Sequence, residues 1–257
     1  MKIITFYSYK GGVGRSLSLI NVAYQLSQKK GQRIGLIDLD IEAGGLNQIL
    51  KKGIKQDKDL LSLLIPNNRD VSELDKYIQE INFQKEIKPN VFLLPTISDP
   101  KLLDSIRWDR TTQRFLSDEL FPTFGRTYSL DYIFIDSRSG LSEFSIFALK
   151  AASLEVLVCR LDRQNRYGIK HMVEVCSAAS KPYKIIVSAC PSEGRAKHLC
   201  SFEKEIKAKI DNILPYVPSL YYEEFVISKK FPKHKLSKEY LKLAVAIHEE
   251  LNAAKQT

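Results

Sequence analysis

Short apolar runs alternate along this chain with segments in which apolar residues recur at spacings of three and four. Runs of four to eight apolar residues are typical of buried strands, and the spacing of three and four is typical of amphipathic helices. Strands that alternate with helices favour a mainly parallel sheet with helices on both faces, an α/β fold. We therefore predict one α/β domain over residues 1–257. The predicted strands cover residues 2–7, 33–38, 91–95, 131–136, 154–159 and 184–189.

Segments with apolar residues at spacings of three and four give the predicted helices. The first helix follows the first strand and ends near Lys29-Lys30-Gly31, where glycine is a common stop signal. A variable helical insert is predicted at about 53–90, either as a carrier of partner specificity or as a helical edge layer. The remaining predictions are short helices over Asp57–Leu64 and Asp70–Ile81, a long helical region over Leu102–Leu120 and a final helix over Leu236–Leu251.

A glycine-rich segment, Tyr9-Lys10-Gly11-Gly12-Val13-Gly14-Arg15-Ser16, connects the first strand to the first helix. Glycines allow the backbone to approach a phosphate closely and to adopt dihedral angles that other residues avoid. The N-terminus of the following helix favours an anion, and the Ser16 hydroxyl stands where it would bind Mg²⁺. The alternative interpretation is a purely structural glycine turn.

Carboxylates follow two of the predicted strands. Asp38 and Asp40 come directly after the second apolar run, and Asp136 ends the run Tyr132-Ile133-Phe134-Ile135. Parallel sheets bind ligands at the carboxyl ends of their strands. Asp136 is therefore expected to hold Mg²⁺, usually through water. The alternative for Asp38 and Asp40 is that both only cap the following loop.

The segment Lys10–Ser16 resembles the deviant Walker A motif of the ParA/MinD superfamily, usually written KGGxGK[ST], with Arg15 in place of the usual lysine. The KGGVGR form, together with Asp136-Ser137-Arg138-Ser139-Gly140, is similar to a bacterial subgroup of these ATPases. Arg138 is expected either to sense the γ-phosphate or to pair with a surface carboxylate. A late segment, Leu214–Pro218, is similar to one that lines the base pocket in this superfamily, so the resemblance covers nearly the whole chain.

This resemblance implies a P-loop NTPase fold, ATP and Mg²⁺ as cofactors, and a homodimer across ATP. Lys10 would reach the partner's phosphates, Asp40 would orient the attacking water, and Arg15 would pair with phosphate oxygens. The implied catalytic residues are Lys10, Asp40 and Arg15. The implied nucleotide-binding residues are Gly11, Gly12, Val13, Gly14, Arg15, Ser16, Leu17, Gly140, Ser188 and Pro218. The implied metal ligands are Ser16, Asp38 and Asp136.

The function that follows is an ATP-binding molecular switch, an ATPase that hydrolyses ATP slowly to regulate a partner protein or nucleic-acid complex. Arginine carries a planar fork on a longer stem than lysine and is not a neutral replacement for it. Arg15 therefore keeps open the alternative of an ATP-bound interaction scaffold that does not hydrolyse. A bacterial tyrosine-kinase domain ranks third, because it would carry a tyrosine-rich tail and Tyr221-Tyr222 is internal.

The composition indicates which kinds of partner the protein would bind and in which cellular compartment it would be found. The formal net charge of +9 favours acidic partners such as nucleic acid or anionic lipid, although a generally basic surface is an equal alternative. The region near the end of the chain concentrates this charge in Lys229, Lys230, Lys233, Lys235, Lys238 and Lys242. The 4 cysteines form no CxxC pair, and we expect them to be reduced and the protein cytoplasmic. Stable membrane anchoring is not expected, because the last five residues carry no bulky apolar side chain.

Overall fold

The computed structural model describes residues 1–55, 57–83, 88–220 and 225–253. The Tyr221-Tyr222 pair, five residues of the predicted insert and the last four residues of the chain lie outside the described residues. Within the described ranges, no helix is long and apolar enough to cross a membrane.

One mostly parallel eight-stranded sheet forms the centre of the molecule, in the order β3-β4-β2-β5-β1-β6-β7-β8. Among the strands of the described residues, only β3 runs antiparallel to its neighbour, β4. The strands are β1 Lys2–Tyr7, β2 Ile34–Asp38, β3 Gln79–Ile81, β4 Val91–Leu94, β5 Tyr132–Asp136, β6 Leu154–Cys159, β7 Tyr183–Cys190 and β8 Asn212–Pro215. All six strands predicted from the apolar runs are therefore present.

Helices cover both faces of the sheet, as predicted. The helices are α1 Arg15–Lys29, α2 Leu46–Ile49, α3 Leu60–Leu64, α4 Pro100–Leu103, α5 Arg110–Arg114, α6 Phe121–Thr127, α7 Glu143–Ala151, α8 Arg163–Ala178, α9 Arg195–Ile206, α10 Ile227–Lys230 and α11 Lys235–Ala253. A π-helical stretch, Phe115–Leu120, joins α5 to α6. Helices α1 and α11 pack on one face, and α3 and α6 to α9 pack on the other. Because both faces are covered, the central strands are mostly apolar rather than alternating, and buried Glu155 on β6 is an exception.

The predicted helix over Asp70–Ile81 is wrong. Leu74–Lys76 forms a single 3-10 turn, and β3 follows it and pairs with β4, Ile81 lying opposite Val91. Leu74 and Ile81 are buried, but they reach the core from a turn and an edge strand rather than from one helix face. An apolar spacing of three and four does not distinguish these two cases in so short a segment.

The long helical region predicted over Leu102–Leu120 is interrupted. Helix α4 ends at Leu103, and α5 begins only at Arg110, where the Asp109 side chain accepts a hydrogen bond from the Thr112 N–H. A side chain that caps a helix in this way marks a helix start. The predicted first and last helices are confirmed as α1 and α11, with boundaries within two residues of the observed ones.

Candidate nucleotide site

The glycine-rich loop lies between the end of β1 and the start of α1. Gly12 and Gly14 have φ angles of 71° and 84°, in the left-handed region where a side chain would be strained. Gly14 is the N-cap of α1, and no side chain caps the helix there. The first N–H groups of α1 are therefore available to an anion, and the helix dipole adds positive potential at the same point.

Groups from three neighbouring strand ends hold the backbone of this loop. The Ser188 hydroxyl lies 2.5 Å from the Val13 carbonyl oxygen, and Arg160 Nη2 donates to the Gly12 carbonyl across 2.7 Å. The Gly140 N–H donates to the Ser8 carbonyl across 3.1 Å. Protein donors therefore bind the carbonyls of Ser8, Gly12 and Val13 and tie the loop to the neighbouring strand ends.

A cavity of about 540 Å³ opens at this loop, at the carboxyl edge of the sheet. The predicted site residues that line it are Gly11, Gly12, Val13, Gly14, Arg15, Ser16, Leu17, Asp40 and Ser188. The predicted residues Lys10, Asp38, Asp136, Gly140 and Pro218 are not among the lining residues. The late segment predicted to contact the base contributes Leu214, Pro215, Tyr216 and Val217 to the wall, so its neighbours rather than Pro218 face the cavity.

The Arg15 guanidinium lies between two carboxylates. Its Nε donates to Asp136 Oδ1 across 2.5 Å, and its Nη2 donates to Asp40 Oδ2 across 2.8 Å. Arg15, Asp40 and Asp136 are all buried. The planar guanidinium suits this arrangement, because its donors point along fixed directions toward two separate acceptors. The resemblance implied a phosphate partner for Arg15, and in this structure the partners are the two aspartates.

The group around Asp136 fits a hydrated Mg²⁺. Asp136 Oδ2 is buried and has no hydrogen-bond partner among the described residues, so an acceptor is left for a metal-bound water. Burial raises the pKa of the Asp136 carboxyl, while the Arg15 guanidinium acts in the opposite direction. Within the described ranges no cluster of three or more His, Cys, Asp or Glu residues could hold a metal. An ion here would thus rely on Ser16, water and phosphate oxygens, which is the usual coordination of Mg²⁺.

Asp38 instead holds the loop that follows β2. Its Oδ2 accepts hydrogen bonds from the N–H groups of Gly45 and Leu46, at 3.0 Å and 3.1 Å. Burial, with Asp136 nearby, raises the pKa of Asp38 to about 8. The loop-capping interpretation therefore describes Asp38 in this structure, and its role as a metal ligand stays a prediction.

The structure also gives the contacts of Arg138 and Lys10, which the sequence did not determine. Arg138 Nη2 pairs with Glu42 Oε2 across 2.5 Å and so connects the loops that follow β5 and β2. Of the two alternatives, pairing with a carboxylate is the one seen. Lys10 is exposed, and its Nζ lies 5.9 Å from the centroid of the adjacent Tyr9 ring.

A family model described as an AAA domain matches residues 1–188 of the chain. The flagellum site-determining protein YlxH of Helicobacter pylori is 30% identical over 214 residues, which is 82% of this chain and 65% of that protein. An uncharacterized protein of Methanocaldococcus jannaschii, MJECL24, is 25% identical over 178 residues, 68% of this chain and 64% of that one. The chain thus spans just under two thirds of the length of these two relatives.

Solved structures of three proteins share the fold. A ParA family ATPase from Chlorobium tepidum has a TM-score of 0.76 at 23% identity, covering 95% of this chain and 98% of that one. Pyrococcus horikoshii MinD, a septum site-determining protein complexed with Mg-ADP, has a TM-score of 0.76 at 19% identity, covering 96% and 95%. The MinC:MinD complex of Aquifex aeolicus gives 0.73 at 22%, covering 96% of each chain. With the family match over residues 1–188, the chain belongs to the AAA domain family, and it shares the fold of these ParA and MinD proteins.

Proposed function

We propose that this chain is an ATP-binding molecular switch that dimerises around ATP and Mg²⁺ and hydrolyses ATP slowly. In doing so it would regulate a partner protein or a nucleic-acid complex. The observation that carries the proposal is the placement of a glycine-rich loop at the start of α1, beside Asp40 and Asp136, on a cavity of about 540 Å³.

The chain's own groups suggest how ATP would bind. The open N–H groups at the start of α1 would receive the phosphates, and Val13, Tyr216 and Val217 offer apolar surface within the same cavity. Ser16 and, through water, Asp136 would hold Mg²⁺, which supplies neutralisation of the phosphate charge. ATP lies well within the usual size of ligands for a cavity of this volume.

Arg15 would change partners when ATP binds. Its guanidinium pairs with Asp40 and Asp136 in this structure, and phosphate oxygens would compete with these carboxylates for the same donors. Release of Asp40 would leave its carboxylate free to orient a water for in-line attack, a positioning role that accounts for much of phosphoryl-transfer catalysis. Hydrolysis would restore the bridge.

Lys10 would act across the dimer. It is exposed beside the loop, and among the described residues no carboxylate oxygen lies within ion-pair distance of it. A long cationic side chain in this position can contact the phosphates bound to a second copy. The names of two of the similar proteins, a flagellum site-determining protein and a MinC:MinD complex, support a role that is exerted through a partner.

The non-hydrolysing scaffold is the second candidate, and the Arg15–Asp40 ion pair of 2.8 Å favours it. If Arg15 keeps this contact when ATP is bound, Asp40 cannot orient water. ATP would then hold a stable dimer without being consumed.

Gel filtration and turnover measurements on wild type, Asp40→Ala and Lys10→Ala test the proposal. Each protein is run with ATP, with ADP and without nucleotide, and Lys101→Ala on exposed α4 is the matched lysine control. For a switch, Asp40→Ala abolishes turnover and traps an ATP-bound dimer, whereas Lys10→Ala loses both dimer and turnover. Equal, negligible turnover and the same ATP-held dimer in wild type and Asp40→Ala would replace the switch with the scaffold.

A further inference from the structure

The aromatic ring of Tyr9 occupies space that exists only because residue 168 is glycine. Gly168 lies in α8 and is buried, and a Cβ atom placed on it would meet Tyr9 Cγ at 1.9 Å and Tyr9 Cβ at 2.4 Å. No real Cβ contact is this short, so an alanine at 168 and the present position of Tyr9 exclude each other. Glycine inside a helix costs roughly 1 kcal/mol relative to alanine, so the helix itself gives no reason for it.

The same ring has neighbours on its other sides. Tyr167 packs edge-on against it with ring centroids 6.1 Å apart and an interplanar angle of 71°. Lys10 Nζ lies over the ring, 5.9 Å from its centroid. An ammonium at this distance over an aromatic face is weakly attracted to it. The Tyr9 ring thus packs against Gly168 and Tyr167 and lies directly beside the exposed Lys10 side chain.

The main chain beside Lys10 is also held. Ser8 accepts a hydrogen bond from the Gly140 N–H, and the Tyr9 carbonyl oxygen lies 3.9 Å from where a Cβ on Gly140 would be. The Ser8 main chain is therefore bonded to the loop after β5 and the Tyr9 ring packs against α8, whereas Lys10 is exposed with its Nζ over that ring. The point at which Lys10 leaves the protein depends on where the Tyr9 ring sits.

We propose that Tyr9, seated on Gly168, is a positioning residue that sets the direction in which Lys10 leaves the loop. This inference rests on the proposed function, in which Lys10 contacts the phosphates bound to a second copy of the chain. A displaced ring would leave nucleotide binding within one subunit intact and impair the contact between subunits. Catalysis is sensitive to such placement, because an error of about 1 Å in a remote contact can lower a rate by about 100-fold.

Four variants test this arrangement: Gly168→Ala, Tyr9→Ala, the double variant and Tyr9→Phe. Gly168→Ala should weaken ATP-dependent dimerisation, measured by sedimentation velocity, and slow turnover by at least about tenfold, while MANT-ATP binding stays within about twofold. Tyr9→Phe should match wild type in dimerisation and turnover, because the ring and not its hydroxyl packs against Gly168. In the Tyr9→Ala background, adding Gly168→Ala should change nothing further, since the clash is gone. The double variant also provides a folded reference if Gly168→Ala alone is unstable, as thermal unfolding reports.

A second readout does not need a dimer. The lysines are reductively methylated with ¹³C-formaldehyde, and the Lys10 signal is identified by its loss in Lys10→Arg. In wild type the Tyr9 ring current should shift this signal, and Gly168→Ala or Tyr9→Ala should move it to the position of an ordinary exposed lysine. An identical Lys10 signal in wild type and Gly168→Ala overturns the inference, as does normal dimerisation of Gly168→Ala. If wild type forms no ATP-dependent dimer, the proposed function fails. The Lys10 signal alone then decides whether the packing of Tyr9 against Gly168 sets the direction of Lys10.

Discussion

Arg15 donates from Nε to Asp136 Oδ1 across 2.5 Å, so the phosphate-loop arginine is bonded to the aspartate that ends β5. The same guanidinium reaches Asp40 through Nη2. The compact ammonium of lysine has no fork with which to span two carboxylates in this way. The arginine thus connects the loop after β1 to the ends of β5 and β2.

Replacing Arg15 should separate this bridge from nucleotide binding. Arg15→Lys should retain ATP binding and increase the rate of ATP turnover, because Asp40 is no longer held. Arg15→Met should lower the free energy of unfolding by about 3–5 kcal/mol, because removing one partner leaves buried carboxylates uncompensated. Turnover assays and urea unfolding measure the two effects.

Arg110→Lys, on the exposed start of α5, is the matched control and should leave both quantities unchanged. A lower turnover in Arg15→Lys than in wild type would show that the guanidinium itself is needed at the phosphates.

Ser16→Ala should weaken binding of ATP in the presence of Mg²⁺ by about tenfold, or about 1.4 kcal/mol, and change binding in EDTA much less. The reason is that the Ser16 hydroxyl is expected to touch the metal rather than the nucleotide. Calorimetric titration with and without Mg²⁺ measures both affinities. Equal losses under the two conditions would contradict the metal assignment.

Ser188→Ala should loosen the phosphate loop rather than alter base recognition. The hydroxyl lies 2.5 Å from the Val13 carbonyl oxygen and 3.2 Å from that of Cys159, and a neutral hydrogen bond of this kind contributes about 1 kcal/mol. Affinities for ATP and GTP should therefore fall by the same factor. Unequal losses would assign Ser188 to the base, and Ser177→Ala at the exposed end of α8 is the control.

Glu155 should make the stability of the protein fall as pH rises. It lies on central strand β6, it is buried, and neither carboxylate oxygen has a hydrogen-bond partner among the described residues. Burial raises the pKa of Glu155 well above its ordinary value of 4.5, although Lys181 acts in the opposite direction. The folded state therefore holds a proton that the unfolded chain releases. The contribution of protonated Glu155 to stability is complete below pH 4.5, and it is lost as pH rises toward the pKa of Glu155 in the folded protein.

Glu155→Gln should accordingly be about as stable as wild type near pH 4 and more stable at pH 8. Thermal unfolding of both proteins across this range gives the difference, in which the other titrating groups cancel. A wild-type advantage that grows with pH would mean that Glu155 is ionised and paired in the folded protein.

The exposed lysines near the end of the chain should determine any binding to nucleic acid. Lys229, Lys230, Lys233 and Lys235 are all exposed. Each phosphate contact contributes about 0.9 to the slope of log affinity against log salt on duplex DNA. Changing these four to glutamine should flatten that slope, whereas Lys51, Lys52, Lys55 and Lys101 changed together should not. Absence of DNA binding by wild type at low salt would remove nucleic acid as a partner through this surface.

The sequence by itself determined the sheet and the place of the loop. The six predicted strands and the loop before α1 rest on local patterns, because central strands buried on both faces are mostly apolar and a tight glycine-rich loop needs glycine at positive φ. The two edge strands, β3 and β8, were not predicted from these patterns. They are three and four residues long, and each forms its ladder hydrogen bonds with one neighbouring strand.

Only the tertiary structure decided what each polar group in the site touches. Asp38 and Asp136 are opposite each other because β2 and β5 pair in parallel, and this brings their carboxylates to one edge. Arg15 could then reach carboxylates or a ligand, Asp38 could bind the Leu46 N–H or a metal, and Tyr9 could settle only where Gly168 left room. These outcomes depend on distances between residues far apart in the chain, and a local pattern of apolar and polar positions carries no record of such distances.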